Sequence, residues 1–261
     1  MATYVRIRYF TPTKMIENQI FELKEEHIIF LDNHLLVVNK PAGLLVQPDK
    51  EGSPNLEDAA RTWLKLKFNK PGNVFATACH RLDRPVSGLI ILARTSKALT
   101  RMNALFQQRL VKKIYLAVVE GRAEQEKNLR HWLKKNEAMN ITRTYTYPRG
   151  DAKQADLTYH LWQEIQGRSL LLVRLFTGRH HQIRAQLAFS GLPILGDAKY
   201  GRRQENEAFI CLNSLACEFL HPVSGEMLRL IGRFPDHGCW KNFSSPDARA
   251  LESVFSLSPP M

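Results

Sequence analysis

No GxxxxGK[ST] loop occurs in the 261 residues, so the phosphate cradle of nucleotide hydrolysis is not written here. No GxGxxG turn follows an expected strand, which argues against a dinucleotide cofactor. The paired H-x-E and P-C-x-x-C signatures of zinc deaminases are missing as well. Cysteine is scarce: Cys79, Cys211, Cys217 and Cys239 show no CxxC spacing, and no ladder of histidines completes a zinc site. Four reduced thiols are the expectation. No run of about 18 apolar residues exists, and the first twenty residues mix Arg, Lys, Glu and Tyr with apolar ones. Neither a membrane span nor a signal-peptide core follows, and a cytoplasmic location is expected. Internal repeats and low-complexity tracts are also missing. Acid is the last shortage, with 25 Asp and Glu against 37 Lys and Arg and a formal net charge of +12. Such an excess points to a polyanionic partner, nucleic acid before an anionic membrane.

What is present reads as strands interrupted by a few helices. His27 to Leu31 and Leu35 to Val38 are aliphatic and β-branched around Asp32-Asn33-His34, a hairpin pattern. Lys40-Pro41-Ala42-Gly43 breaks the second strand, and Leu44-Leu45-Val46 is expected to continue it. Leu56 to Leu64 has helical spacing, with Asn55 or Ser53 as cap. Strands are expected over 74–78, 89–93 and 113–119, with an amphipathic helix over 96–110. Several more strands fill 126–176, a helix follows over 181–189, and 208–212, 215–220 and 226–231 close the sheet. Most links are too short for βαβ crossovers, so the expected class is α+β, a mixed, mainly antiparallel central β-sheet flanked by helices. Residues 1–26 read as an N-terminal extension of mixed character, and the last twenty residues as a loose Ser- and Pro-rich tail.

Two motifs concentrate the chemistry. His80-Arg81-Leu82-Asp83-Arg84-Pro85-Val86-Ser87-Gly88-Leu89 sets one acid among Arg81, Arg84 and His80, on a loop between two strands. Neighbouring cations favour the carboxylate, and a positioned carboxylate acts as nucleophile or base. Thr177-Gly178-Arg179-His180-His181-Gln182-Ile183-Arg184 supplies a second group of cations and donors. From these residues alone, Asp83 equally suits an ordinary turn cap, Tyr115 a core tyrosine and Arg184 a solvated helix residue.

The chain resembles the RluA family of RNA pseudouridine synthases over about residues 27 to 232, which the resemblance makes one catalytic domain followed by a C-terminal tail over 233–261. Residues 80 to 89 match its HRLDxxTSGL pattern, with Val86 in place of Thr. Lys40, Pro41 and Gly43 match K-P-x-G, while Lys113, Tyr115, Ala117 and Gly121 match K-x-Y-x-A-x-x-x-G. Thr177 to Arg184 match T-G-R-x-H-Q-I-R, and Gly191 to Gly201 match G-x-P-I-x-G-D-x-x-Y-G. The resemblance implies that uridine loses its N1–C1′ bond, the base turns, and C5 rejoins the ribose, without cofactor or metal. It makes Asp83 the catalytic nucleophile, Tyr115 the ring that stacks on the target base, and Arg184 the partner of the aspartate. Arg81 is implied to enter the RNA stack where the uridine flips out, with His80, Arg84, Lys40, Arg179 and His181 as RNA-binding residues. His180 and Gln186 stand where relatives commonly carry Thr and His. About 26 residues precede the hairpin, too few for the S4 domain of many relatives. RNA binding is therefore expected on the catalytic domain's own basic surface, Arg101, Arg109, Lys112 and Lys113 included. The implied partner is tRNA or large-subunit rRNA, met by a monomer without membrane or nucleotide cofactor. Two rivals remain: a non-catalytic RNA-binding or chaperone module, and a metal-dependent hydrolase using His80, Asp83, His180 and His181.

Overall fold

The computed structural model describes residues 21–201 and 209–260. Eleven strands among them form one sheet. Strands β1 (Ile28–Leu31) and β2 (Leu35–Lys40) make the expected hairpin, turned where Asp32 Oδ1 accepts from the His34 and Leu35 amides. Helix α1 (Leu56–Lys67) starts where the Asn55 side chain accepts from the Asp58 amide at 3.0 Å, and it buries Leu56, Ala60 and Leu64. After β3 (Thr77–Ala78) and β4 (Ser87–Ala93), α2 (Ser96–Gln107) is capped by Thr95. Then come β5 (Lys112–Glu120), β6 (Glu126–Asn136), β7 (Ile141–Tyr145), β8 (Lys153–Ile165) and β9 (Arg168–Leu175). Helix α3 (Gln182–Phe189), β10 (Leu212–Leu220), β11 (Met227–Ile231) and α4 (Ala248–Phe255) complete the order.

The sheet runs β1-β2-β4-β10-β5-β9-β8-β6-β7, with β3 on β4 and β11 on β10. Every pairing is antiparallel except β4 with β10. This is the mixed, mainly antiparallel α+β architecture the strand spacing implied. Its aliphatic centre lies on β5 and β9, where Leu116, Val118, Leu170 and Val173 are fully enclosed. Among the described residues, no helix is long and apolar enough to cross a membrane.

The parallel junction of β4 and β10 explains one glycine of the first motif. Gly88 lies opposite Ser214 with φ +113°, and a Cβ there would stand 2.3 Å from the Ser214 carbonyl oxygen. Only a residue without a side chain lets the strands approach so closely. Gly88→Ala is expected to lower the unfolding free energy by about 3 kcal/mol, through strain and displacement of β10. A urea melt measures it, and a loss below about 1 kcal/mol would mean that β10 yields freely.

Five local expectations need correction. Leu44 to Val46 is not a strand, since its backbone makes only an isolated bridge from Leu45 to Asn55. The strand expected over 74–78 shrinks to Thr77–Ala78, and 215–220 extends back to Leu212 as one strand, residue 208 lying outside the described residues. The expected loose tail instead forms α4, capped by Asp247, with Leu251, Val254 and Phe255 buried against β5 and β9. Those apolar residues recur at helical spacing, a signal hidden by the flanking Ser and Pro. Finally, Cys211 and Cys239 are joined as a disulfide, leaving only Cys79 and Cys217 as free thiols. The two partners lie 28 residues apart, a separation no motif spacing reveals. Most of the extension expected over 1–26 lies outside the described residues.

Candidate active site

The acidic loop between β3 and β4 is held from below by a lysine. Lys40 is wholly buried at the end of β2, and its Nζ donates to the carbonyls of Pro41 (2.9 Å), Leu44 (2.8 Å) and Arg84 (3.3 Å). Burial pushes its pKa down to about 7, with the Asp83 charge opposing that fall. Three accepted bonds take all three ammonium protons, so the carbonyl cage favours the cation. The Gly43 amide donates to the Arg84 carbonyl at 2.8 Å, and Arg84 Nε returns a bond to the Gly43 carbonyl at 3.0 Å. The Lys-Pro-Ala-Gly turn thus grips the residue next to Asp83. Lys40→Met leaves three carbonyls without their donor, and a loss of about 2 kcal/mol in stability is expected, together with a slower reaction. Thermal melts and single-turnover rates check it; an unchanged rate would detach this turn from the site.

Opposite the loop, the start of α3 delivers Arg184. Its side chain is 5% exposed, and each of its three guanidinium nitrogens is engaged. Nε and Nη2 donate to the two oxygens of Asp197 at 2.8 Å each, and Nη1 donates to Asp83 Oδ2 at 2.8 Å. Burial alone would lower the Arg184 pKa, but the bonds and charges of Asp197 and Asp83 outweigh it and raise it. Asp197, 1% exposed, is fixed in turn by the amides of Lys199 (3.0 Å) and Tyr200 (3.3 Å). His181 enters α3 in the left-handed region, φ 50°, and its Nε2 reaches Asp83 Oδ2 at 3.4 Å. Both contacts therefore fall on one carboxylate oxygen. Asp83 Oδ1 has no hydrogen-bond partner among the described residues, on a side chain 31% exposed.

Tyr115 stands on β5 opposite Ser214, with Asp83 near enough for its charge to act on the phenol. Burial pushes the phenol up to about 12, a rise the Ser214 hydroxyl partly offsets, so it is neutral at physiological pH. The remaining expected residues separate. Arg81 and Arg84 are exposed on the loop rim. Arg179 is half-buried, its Nε bonded to the Gln154 carbonyl at 3.1 Å. His80 turns away from Asp83: its Nε2 accepts from the Ile91 amide at 3.1 Å and its ring lies against Phe106. Burial pushes it down to about 3, so it is a neutral, structural imidazole rather than a contact for phosphate. On the expected basic surface, Lys112 is paired with Glu218 at 2.8 Å and Arg101 with the Pro222 carbonyl at 2.8 Å. Lys113 stands 5.9 Å over the Phe106 ring, and burial pushes its pKa down to about 8. Asp197 and Tyr200 were not singled out from the sequence, although the D-x-x-Y of their segment was the available signal. Thr142 joins them from β7, with no sequence signal at all.

Residues 34–189 match the RNA pseudouridylate synthase family profile. The chain belongs to that family. It is 31% identical over 238 residues to ribosomal large subunit pseudouridine synthase C of Vibrio parahaemolyticus, covering 91% of this chain and 70% of that protein. It is 31% identical over 220 residues to ribosomal large subunit pseudouridine synthase D of Zymomonas mobilis, covering 80% and 69%. The solved human RNA pseudouridylate synthase domain containing 1 superposes with a TM-score of 0.70 over 92% of this chain and 100% of that one, at 20% identity. The family's reaction, isomerisation of uridine to pseudouridine in RNA, is therefore this enzyme's reaction, and the non-catalytic module is set aside. Among the described residues, no three His, Cys, Asp or Glu side chains are grouped as a metal site requires.

Proposed function

We propose that Asp83 is the nucleophile of this pseudouridine synthase, that the target uridine is flipped out to reach it, and that the substrate is large-subunit ribosomal RNA. The observation behind the first statement is the division of labour within one carboxylate: Oδ2 accepts from Arg184 and faces His181, while Oδ1 is left open. Oδ1 attacks C1′, the new O–C1′ bond forms as the N1–C1′ bond breaks, and the uracil leaves with the electron pair on N1. The base turns, C5 bonds to C1′ as the carboxylate departs, and the C5 proton is lost while N1 takes one from solvent, which completes the isomer. Arg184 keeps the carboxylate charged and aimed throughout. Tyr115, as a neutral phenol, forms an aromatic wall for the base. A half-buried carboxylate cannot reach a stacked nucleotide, so extrusion at a cost of a few kcal/mol is required, and exposed Arg81 is placed to fill the gap.

The same reading takes residues 27–232 as the catalytic unit, with α4 packed onto it, and needs no nucleotide or metal. The ribosomal target rests on the relatives named above; the Leu82-Asp83-Arg84-Pro85 pattern, which resembles that of the family's tRNA-modifying branch, is what keeps tRNA in view. Large-subunit rRNA and tRNA transcripts labelled with tritium at uridine C5 separate the two, because isomerisation releases that tritium to water. Release from the rRNA, undiminished by a chelator, is expected. Release from tRNA alone would replace the substrate, and loss of release on chelation would replace the mechanism.

A further inference from the structure

Two groups of the site have no place in that mechanism, His181 and Tyr200, yet they form a chain that ends on Asp83. The Thr142 amide donates to Tyr200 Oη at 2.6 Å, using one lone pair of that oxygen. The Thr142 hydroxyl donates to the His180 carbonyl at 2.9 Å and lies 2.8 Å from His180 Nδ1. With that proton on the carbonyl, we assign the Tyr200 O–H to His181 Nδ1, 2.8 Å away. An imidazole that accepts at Nδ1 carries its proton on Nε2. That nitrogen is the one 3.4 Å from Asp83 Oδ2.

We propose that His181 is a positioning residue whose neutral Nε2–H tautomer, fixed by the Tyr200 hydroxyl, holds Asp83 Oδ2 and so presents Oδ1 to the nucleoside. This inference rests on the assignment of Asp83 as nucleophile. The surroundings support a neutral ring. Burial pushes His181 down to about 4, the Asp83 charge opposes that, and Arg184, His180 and Lys199 reinforce it. The His180 ring is stacked 3.7 Å from it, and the Tyr200 ring meets it edge-on at 5.5 Å. The Arg184 guanidinium lies 5.3 Å over Tyr200, closing the group into one packed unit. With only Arg184 on Oδ2, the carboxylate could rotate about its Cβ–Cγ bond and exchange its two oxygens. A second donor from a different direction removes that freedom, which is the part of the barrier that fixed geometry lowers.

The test combines a spectrum with single-turnover rates on the rRNA transcript at saturating enzyme. In protein labelled with ¹⁵N at histidine, the two ring nitrogens of His181 are expected to report a bare Nδ1 and a protonated Nε2. Tyr200→Phe and His181→Leu are each expected to slow the chemical step about tenfold, the order of one lost hydrogen bond, with RNA affinity within about twofold of the wild type. His181→Gln, whose amide N–H reaches the place of Nε2–H, is expected to recover most of that rate, and it keeps the test open if the leucine variant fails to fold. An Nδ1–H tautomer in the wild type overturns the proposal, as does a glutamine variant that folds yet is as slow as His181→Leu. The Asp83→Asn variant, run alongside, separates the two assignments: full turnover by that variant brings down the nucleophile, whereas the tautomer still tests the hydrogen-bond chain.

Discussion

Asp83→Asn is expected to remove pseudouridine formation, by about 10⁴-fold or more, while the protein folds and binds RNA as before. The magnitude follows from what a nucleophile contributes: without it the N1–C1′ bond has no partner with which to exchange electrons. The amide oxygen can still accept from Arg184, so the bond that ties the loop to α3 survives in weaker form. Affinity is expected to hold within about threefold, and to shift toward tighter binding, because one negative charge leaves a surface that meets phosphates. Tritium release under single-turnover conditions gives the rate, and filter binding at fixed salt gives the affinity. Turnover within tenfold of the wild type would exclude attack by this carboxylate. Equal loss of affinity and rate would make Asp83 a binding group instead.

The parts of this site that the sequence disclosed are those whose chemistry is local. Asp83 follows a buried-strand pattern and precedes Pro85 and Gly88, so its place on a loop between strands can be read from the chain itself. The hairpin, α1 and α2 were legible for the same reason, since side-chain periodicity and caps such as Asn55 and Thr95 act over a few residues. Pairings across the chain were not, and only the family resemblance implied that Arg184 partners Asp83. Asp197 reaches Arg184 over 13 residues, Arg184 reaches Asp83 over 101, and Thr142 reaches Tyr200 over 58. None follows from side-chain periodicity; each depends on how distant segments pack, as β10 lies between β4 and β5 although it comes far later in sequence. His80 shows the opposite failure. It sits three residues from Asp83 in a motif rich in cations, yet its ring is spent on the Ile91 amide beneath the loop. Composition suggests charge, while strand direction decides which side of the loop a residue faces.

Arg184 is where stability and catalysis meet, and Arg184→Leu is expected to damage both. Asp197 is 1% exposed and takes two of the three guanidinium bonds, so the leucine variant strands a buried carboxylate. Breaking a buried pair by removing one partner costs about 3–5 kcal/mol, which corresponds to a fall of roughly 10 °C in melting temperature for a chain of this size. Asp83 loses its donor on Oδ2 at the same time, so the chemical step is expected to slow about 10³-fold at temperatures where the variant remains folded. Arg184→Lys separates the two effects. One ammonium keeps a positive charge beside Asp197 and should recover most of the melting temperature. It cannot place three N–H groups in the planar fork that bonds Asp197 twice and Asp83 once, so the rate is expected to stay about 100-fold low. Calorimetry and single-turnover kinetics on the two variants settle the matter. A lysine variant with full activity would show that charge alone suffices at this position and that the fork geometry is dispensable.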